Sequence, residues 1–345
     1  MASAHQQSRV QRYGSALSRE RTPMSYALGL DSGGTKTLIA LVEESGAVLG
    51  ISSGASLDPT AGDEWPARLA RQVGEATQGR EAPVAAAFGL SFHDEIENFT
   101  RRQKQVAAAL LPTSQVIVEN DVRMAFDGAF ATGGGVLVLA GTGSMAWASR
   151  NGLGDRHYRI GGYGDAFGDE GSACWIGRES LSIASQALDG RRTDASEFAQ
   201  GILEGLSLSS DCLIDWVYSL ANQRTAIAGV AKITAALAAS GSLIAQGLLD
   251  DACEHLAAHV LAAERLVSTP GASRQPWSYA GGVFANPIIL GGVTRRVGSD
   301  PREPVLPPIG GAVLRAAQLA GWKTDAAFVG RLKSSLQQNL QSTMQ

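Results

Sequence analysis

Cysteine is scarce in this chain. Its three residues, Cys174, Cys212 and Cys253, lie far apart among 345, and none belongs to a CxxC pair. No histidine stands near them at a metal-ligand spacing. That pattern argues against a disulfide framework, a zinc centre or an iron–sulfur centre, and it fits a reducing, cytoplasmic home. Histidine is also rare, with five residues at 5, 93, 157, 255 and 259. His255 and His259 are four apart on an expected helix but lack a third ligand, so they read as a polar helix face. Charged residues make up 18%, with a formal net charge of -4. This leaves no basic footprint, and no nucleic-acid partner is expected. No run approaches the ~18 consecutive apolar residues of a membrane helix, so no membrane partner is expected either. Residues 1–24 are polar and basic and lack the apolar stretch of a secretory signal. They read as a disordered tail, with Met24 as a candidate start.

Glycine, in contrast, is abundant, with 41 residues that fall largely in clusters. A chain this long is expected to hold two domains at roughly 150 residues each. From Tyr26 the pattern is regular. "YALGLD", "KTLIALVEE" and "SGAVLGISS" read as strands, "EWPARLARQVGEATQ" as a helix and "PVAAAFGLS" as a buried strand. "DEIENFTRRQKQVAAALL" has acidic residues first and basic ones later, as a helix dipole favours. "SQVIVEND" is a strand and "VRMAFDGAF" a short helix. A second start follows: "GVLVLAG", the turn "TGS", "MAWASR" and the hairpin signal "NGLG". The unit strand, Gly/Thr/Ser turn, strand thus occurs twice, beginning at Ala27 and Val136, and implies two related α/β halves facing each other. From Ser172 to about Arg265 the chain is Ala- and Leu-rich with helical periodicity. "PWSYAGGVFANPII" reads as strand, turn and helix, and "PPIGGAVLRAAQLAG" as a closing helix. The predicted domains are 25–132, joined by the helix 310–321, and 133–309 with a helical insertion. Residues 322–345 read as a frayed polar tail.

Four segments carry the chemistry. In "LGLDSGGTKT", Asp31 ends a strand, Ser32, Gly33, Gly34 and Thr35 turn sharply, and Lys36 follows the turn as a further candidate for phosphate. Such a turn is either a plain hairpin or a nest of N–H groups for phosphate oxygens, with Asp31 placed to hold hydrated Mg2+. It is not a Walker A loop, because the GxxxxGK[ST] spacing is missing. "LVLAGTGSMA" repeats the pattern with Gly141, Thr142, Gly143 and Ser144. Two such turns on two related halves would grip a polyphosphate from both sides. In "YAGGVFANP", Gly281 and Gly282 either let a nucleoside lie against the backbone or allow a close strand–helix crossing. "GGYGDAFGDEGSACWIG" places six glycines beside Asp165, Asp169 and Glu170. It is either a solvated loop or one shaped around a polar ligand.

Taken together, "DSGGTKT", "AGTGS", "GGYGDAFGDEGSACWIG" and "AGGVF" resemble, in order and context, the N-acetylglucosamine kinase and BadF/BadG/BcrA/BcrD ATPase family, over roughly Ala27 to Gly321. The resemblance implies an α/β fold of two ribonuclease-H-like (actin-like ATPase) domains around a central cleft. It implies that the two turns hold ATP with Mg2+ at Asp31, and that Gly281 and Gly282 lie near the adenosine. Gly162, Tyr163, Gly164 and Asp169 match positions that contact the sugar. Asp121 in "VIVEND" matches the general base, although Asp121 or Asn120 is equally a helix N-cap. Asp165 and Glu170 are expected to be peripheral, and Cys174, Trp175 and Ile176 to be core. A homodimer is the expected assembly.

Two segments depart from the family pattern: "GASLDP", with Leu57 and Asp58, and "FHD", with Phe92, His93 and Asp94. Both are expected on the sugar side of the cleft. The function implied is an ATP-dependent kinase that phosphorylates N-acetylglucosamine or glucosamine at the 6-hydroxyl. The alternative is an ATPase that activates a partner reductase. Activators of that type hold an iron–sulfur cluster through cysteines, and no cysteine here has the required spacing.

Overall fold

The computed structural model describes residues 25–131, 133–269, 271 and 273–343. The tail expected at residues 1–24 lies outside the described residues. The first half opens with an antiparallel meander of β1 (Tyr26–Ser32), β2 (Lys36–Glu43) and β3 (Val48–Ala55). There follow α1 (Trp65–Ala76), β4 (Ala85–Leu90), α2 (Glu97–Leu110), β5 (Gln115–Asn120) and α3 (Asp121–Phe130). β4 pairs parallel to β1, and β5 parallel to β4, giving the order β3-β2-β1-β4-β5. β1 is buried on both faces, and its side chains divide by strand period. Ala27 faces one apolar cluster, while Leu28 and Leu30 face another with Leu69 of α1 and Ala107 of α2.

The second half repeats the plan. β6 (Gly135–Ala140), β7 (Ser144–Ser149) and β8 (His157–Gly161) form a meander. Five helices follow: α4 (Ala173–Leu188), α5 (Ser196–Leu206), α6 (Leu213–Ser219), α7 (Gln223–Ala239) and α8 (Leu243–Val267). β9 (Trp277–Ala280) then pairs parallel to β6, giving the order β8-β7-β6-β9. The second sheet repeats the order of the first over four strands, with no counterpart of β5 among the described residues, so the sequence repeat at Ala27 and Val136 is a repeat of topology.

After α9 (Pro287–Val297), α10 (Pro308–Leu319) returns to the first sheet. Gly29 of β1 permits that approach, because a Cβ there would lie 2.5 Å from the Val313 backbone nitrogen. α3 stands between the halves. Val122, Phe126 and Ala129 pack with Leu137 of β6, alongside Met145 and Trp147 of β7. The C-terminal expectation needs correction. Residues 326–343 form a helix, α11 (Ala326–Thr343), with Phe328, Leu332 and Leu336 fully buried on the first half. Val48 N–H donates to Ser335 Oγ at 2.9 Å. The apolar residues recur every four positions, but polar residues outnumber them, so the segment looked like a tail.

Candidate active site

The β1–β2 turn brings Asp31 to the strand end and leaves Gly34, Thr35 and Lys36 exposed. Ser56 anchors the turn by donating to Gly33 O at 2.7 Å. A Cβ on Gly34 would meet nothing within 4 Å, and one on Gly33 would lie 3.6 Å from Asp121 Oδ2. The turn is therefore open on one side and close to the α3 N-terminus on the other. Asn120 caps α3, its Oδ1 accepting from Val122 N–H at 2.9 Å. Asp121 is the first helical residue. Its Oδ1 also accepts from Val122 N–H at 2.9 Å, and Ser91 Oγ lies 3.2 Å from its Oδ2. Ser91 in turn donates to Ser32 O at 3.0 Å, tying β4 to β1 beneath the carboxylate.

Burial, and then the neighbouring Asp121 carboxylate, push Asp31 up to about 7. Burial, and then Glu95, push Asp121 up to about 6. Asp31 and Asp121, beside the open Gly34 turn, form a donor set suited to a hard divalent cation, whose charge would oppose both shifts.

The second turn sits across the cleft. Gly141 N–H donates to Gly143 O at 2.9 Å, and the first amides of α4 bind it from below: Ala173 N–H donates to Gly141 O and Cys174 N–H to Thr142 O. Ser144 does not offer its hydroxyl to the cleft. The side chain is buried and donates to Glu170 O at 2.7 Å. Gly281 has φ +99°, and a Cβ there would lie 2.2 Å from Ala140 O, so only glycine fits; Gly282 beside it is open. Thr35, Gly141, Thr142 and Gly282 all line one cavity of about 850 Å³. Its other walls are α4, with Ala173 and Ile176, α7, with Thr225 and Ala228, Leu249 of α8, and residues between Val283 and Ile289. Of the nucleotide residues expected from sequence, these four converge directly.

The glycine-rich loop closes the other end. Gly161, Gly162, Gly164 and Gly171 all have positive φ, as does Asp169 at φ 58°. That chain path explains the glycine cluster. Asp169 is not a free acceptor. It is 3% exposed; its Oδ1 accepts from Ser144 N–H at 3.3 Å and its Oδ2 from Arg224 Nη2 at 2.7 Å. Arg224 also lies 3.6 Å from Asp165. Tyr163 and Phe167 are exposed and stack at 6.4 Å, with the Arg159 guanidinium 5.8 Å from the Tyr163 ring centroid.

Glu95, from the loop after β4, faces Arg159 of β8 at 3.4 Å and accepts from Asn120 Nδ2 at 2.9 Å. Burial raises the Glu95 pKa, with Arg159 opposing. The pair joins the two halves at the loop end of the cleft.

Other expectations change. Leu57 is buried in the first core, and Asp58 caps a short turn by accepting from Thr60 N–H at 2.7 Å. His93 is 1% exposed and bonds Gln103 of α2 at 2.9 Å. Phe92 packs edge-on against Phe99 at 6.2 Å. Leu57 and His93 are therefore buried in the scaffold, while Phe92 is half-buried. Among the described residues no group of three potential metal ligands includes His255 or His259. His255 packs on Trp175 at 5.0 Å, while His259 lies under Gly161. Ser91, Glu95, Arg159 and Arg224 were not anticipated. Only Glu95 stands near a signal, directly after the departing "FHD" segment.

Two sheets that share one order over four strands, each offering a Gly–Thr turn to a shared cleft, define an α/β protein of two ribonuclease-H-like domains, the actin-like ATPase class. Within that class, the chain belongs to the BadF/BadG/BcrA/BcrD ATPase family, which it matches over residues 28–316. It is 27% identical over 270 residues to the N-acetylmuramic acid/N-acetylglucosamine kinase of Clostridium acetobutylicum, covering 76% of this chain and 87% of that one. Its structure is similar to that of a candidate N-acetylglucosamine kinase from Chromobacterium violaceum, with TM-score 0.67 and 25% identity over 86% of this chain and 99% of that one. A protein from Porphyromonas gingivalis with the same assignment also has TM-score 0.67, at 20% identity, over 85% of this chain and 99% of that one, a likeness of fold.

Proposed function

We propose that the protein is an ATP-dependent sugar kinase whose acceptor is the 6-hydroxyl of an amino sugar, N-acetylglucosamine or glucosamine. The observation that carries this reading is the convergence of both Gly–Thr turns on one cavity, with Asp121 3.6 Å from the Cβ position of Gly33 at its edge. The kinase names of the C. acetobutylicum and C. violaceum relatives support it. Thr35, Gly141, Thr142 and Gly282 cradle the nucleotide. Asp31 would hold Mg2+, which when bound supplies charge neutralisation at the phosphates. Asp121 accepts the proton of the attacking hydroxyl, and positioning supplies most of the remaining acceleration. Glu95, Arg159, Tyr163 and the backbone of Gly162 and Gly164 face the sugar, with Asp169 fixing the loop.

The activator reading has less support. Cys174 and Cys253 are buried in helix packing, and burial pushes both thiols up to about 11, away from the thiolate a cluster needs. A coupled ADP-release assay over a panel of amino sugars and neutral hexoses tests the proposal. Sugar-dependent ADP release with an amino sugar preferred supports it; nucleotide hydrolysis indifferent to every sugar refutes it.

A further inference from the structure

The nucleotide cleft is almost without charge, and its single exception is informative. Of the residues that line it, Lys232 alone carries an ionisable side chain; the other α7 residues there are Thr225, Ala228, Gly229, Ala231, Ala235 and Ala239. Lys232 is exposed and makes no ion pair among the described residues. The small neighbours leave its path into the cleft clear.

Its place along α7 sets what it can reach. Arg224, one residue before Thr225, meets Asp169, whose other oxygen holds Ser144 at the second turn. The start of α7 is therefore fixed to the phosphate end of the cleft. Lys232 lies seven residues beyond Thr225, about 10 Å along the axis at ~1.5 Å per residue. Two turns also return it to the same helix face. Helical side chains lean toward the helix N-terminus, which for Lys232 is the end of α7 that Arg224 ties to Asp169. The far wall, with Val283, Pro287, Ile288 and Ile289, suits a flat base. That place along α7, in the lining of a cleft with an apolar wall and a Gly–Thr turn, suits contact with the first phosphate of a nucleotide.

We propose that Lys232 binds the α-phosphate of the nucleotide. This rests on the reading of the cleft as an ATP site. A lysine suits the task because it is a compact point charge on a flexible stem, and the other nearby cations, Lys36 of the first turn and Arg224 bound to Asp169, are not among the residues that line the cavity. The contact predicts that base and phosphate recognition are separable.

The test is calorimetric titration of the full chain, without sugar, with adenosine, AMP and ADP. Wild type is compared with Lys232→Met and Lys232→Arg. Loss of one charged hydrogen bond weakens binding on the order of tenfold to a hundredfold. Lys232→Met is expected to weaken AMP and ADP by that factor and leave adenosine unchanged, with Lys232→Arg close to wild type. A wild-type AMP affinity that falls with added salt, more steeply than that of Lys232→Met, supports the same contact. AMP binding equal in wild type and Lys232→Met overturns the proposal, as does equal weakening of adenosine and AMP. A wild-type chain that binds none of the three ligands refutes the nucleotide reading itself, an outcome distinct from the other two.

Discussion

Replacing Asp121 by Asn separates catalysis from architecture at one position. Asn retains an oxygen for the Val122 N–H that Oδ1 now accepts at 2.9 Å, and Asn120 caps α3 independently. The new amide can donate to Ser91 Oγ, whose own proton goes to Ser32 O. No hydrogen bond need be lost. What disappears is a charge that burial and Glu95 disfavour, with a pKa raised from 3.8 to about 6. A raised carboxylate pKa means the ionised form is penalised by the fold above pH 6. At 1.36 kcal/mol per unit, the relief on neutralising it is at most on the order of 3 kcal/mol, less because the site opens to solvent on the cleft side. Asp31 gains too, since Asp121 raises its pKa. The variant is therefore expected to melt at or above the wild-type temperature. Removing a general base costs about 10²–10⁴-fold in rate, so kcat is expected to fall by that factor for every sugar while ATP still binds. Scanning calorimetry and the coupled assay on one preparation measure both. A near-normal kcat would refute the assigned role, and a melting temperature several degrees lower would refute the account of the site's strain.

Other expectations follow from the same geometry. Arg224→Ala leaves Asp169 buried without its partner, a loss of roughly 3–5 kcal/mol for a fully buried pair, less here because Arg224 is partly exposed; both sugar and ATP affinities should fall, and titrations showing only the sugar changed would contradict the link to the Ser144 turn. His157 accepts from Trp147 Nε1 at 2.9 Å, and burial, then Arg123, lower its pKa from 6.5 to about 4. The fold favours the neutral ring, so its contribution is complete above pH 6.5 and lost as pH falls toward 4; urea midpoints across that window should flatten in His157→Gln, and an unchanged slope would count against the account. Leu332→Ala in α11 should cost about 2–5 kcal/mol by denaturant unfolding, as for other buried leucines. A negligible change would mean the helix is dispensable.

Local pattern made much of this fold legible before its structure. The strand-turn-strand unit beginning at Ala27 and Val136 became two sheets of one order over four strands because alternating and buried apolar runs encode strands locally. The four cleft residues Thr35, Gly141, Thr142 and Gly282 were visible as turns because glycine and threonine mark the backbone that needs them. What escaped was partnership at a distance. Arg224 lies 55 residues from Asp169 and Arg159 lies 64 from Glu95, separations that no spacing rule covers. Asp169 matches a sugar-contacting position by family resemblance, yet the tertiary fold buries it against an arginine. Leu57 and His93 were read as cleft residues by their place in a motif, and core packing claimed both.

Those distant pairs bear on how the two ends of the cleft communicate. The glycine-rich loop and the second Gly–Thr turn are physically one unit, because Glu170 O and Asp169 Oδ1 both hold Ser144, and Asp169 Oδ2 holds the start of α7. A Cβ on Gly143 would lie 2.6 Å from Arg224 Nη2 and 2.7 Å from Asp169 Oδ2, so the turn has no freedom to move without them. On the proposed reading, a sugar that shifts the loop is expected to shift the turn and α7, and with α7 the cleft wall that carries Thr225 and Lys232. The Glu95–Arg159 pair adds the first half to the same unit through Asn120, the cap of the helix that begins with Asp121. Linkage requires that whatever sugar does to nucleotide affinity through this unit, nucleotide does equally to sugar affinity. Gly143→Ala inserts a methyl into that contact while leaving every charge in place. It should lower the factor by which sugar changes ATP affinity more than it lowers ATP affinity alone. Calorimetric titrations of ATP with and without sugar give both numbers, and a variant whose coupling factor equals that of wild type would show that the loop and the turn act independently.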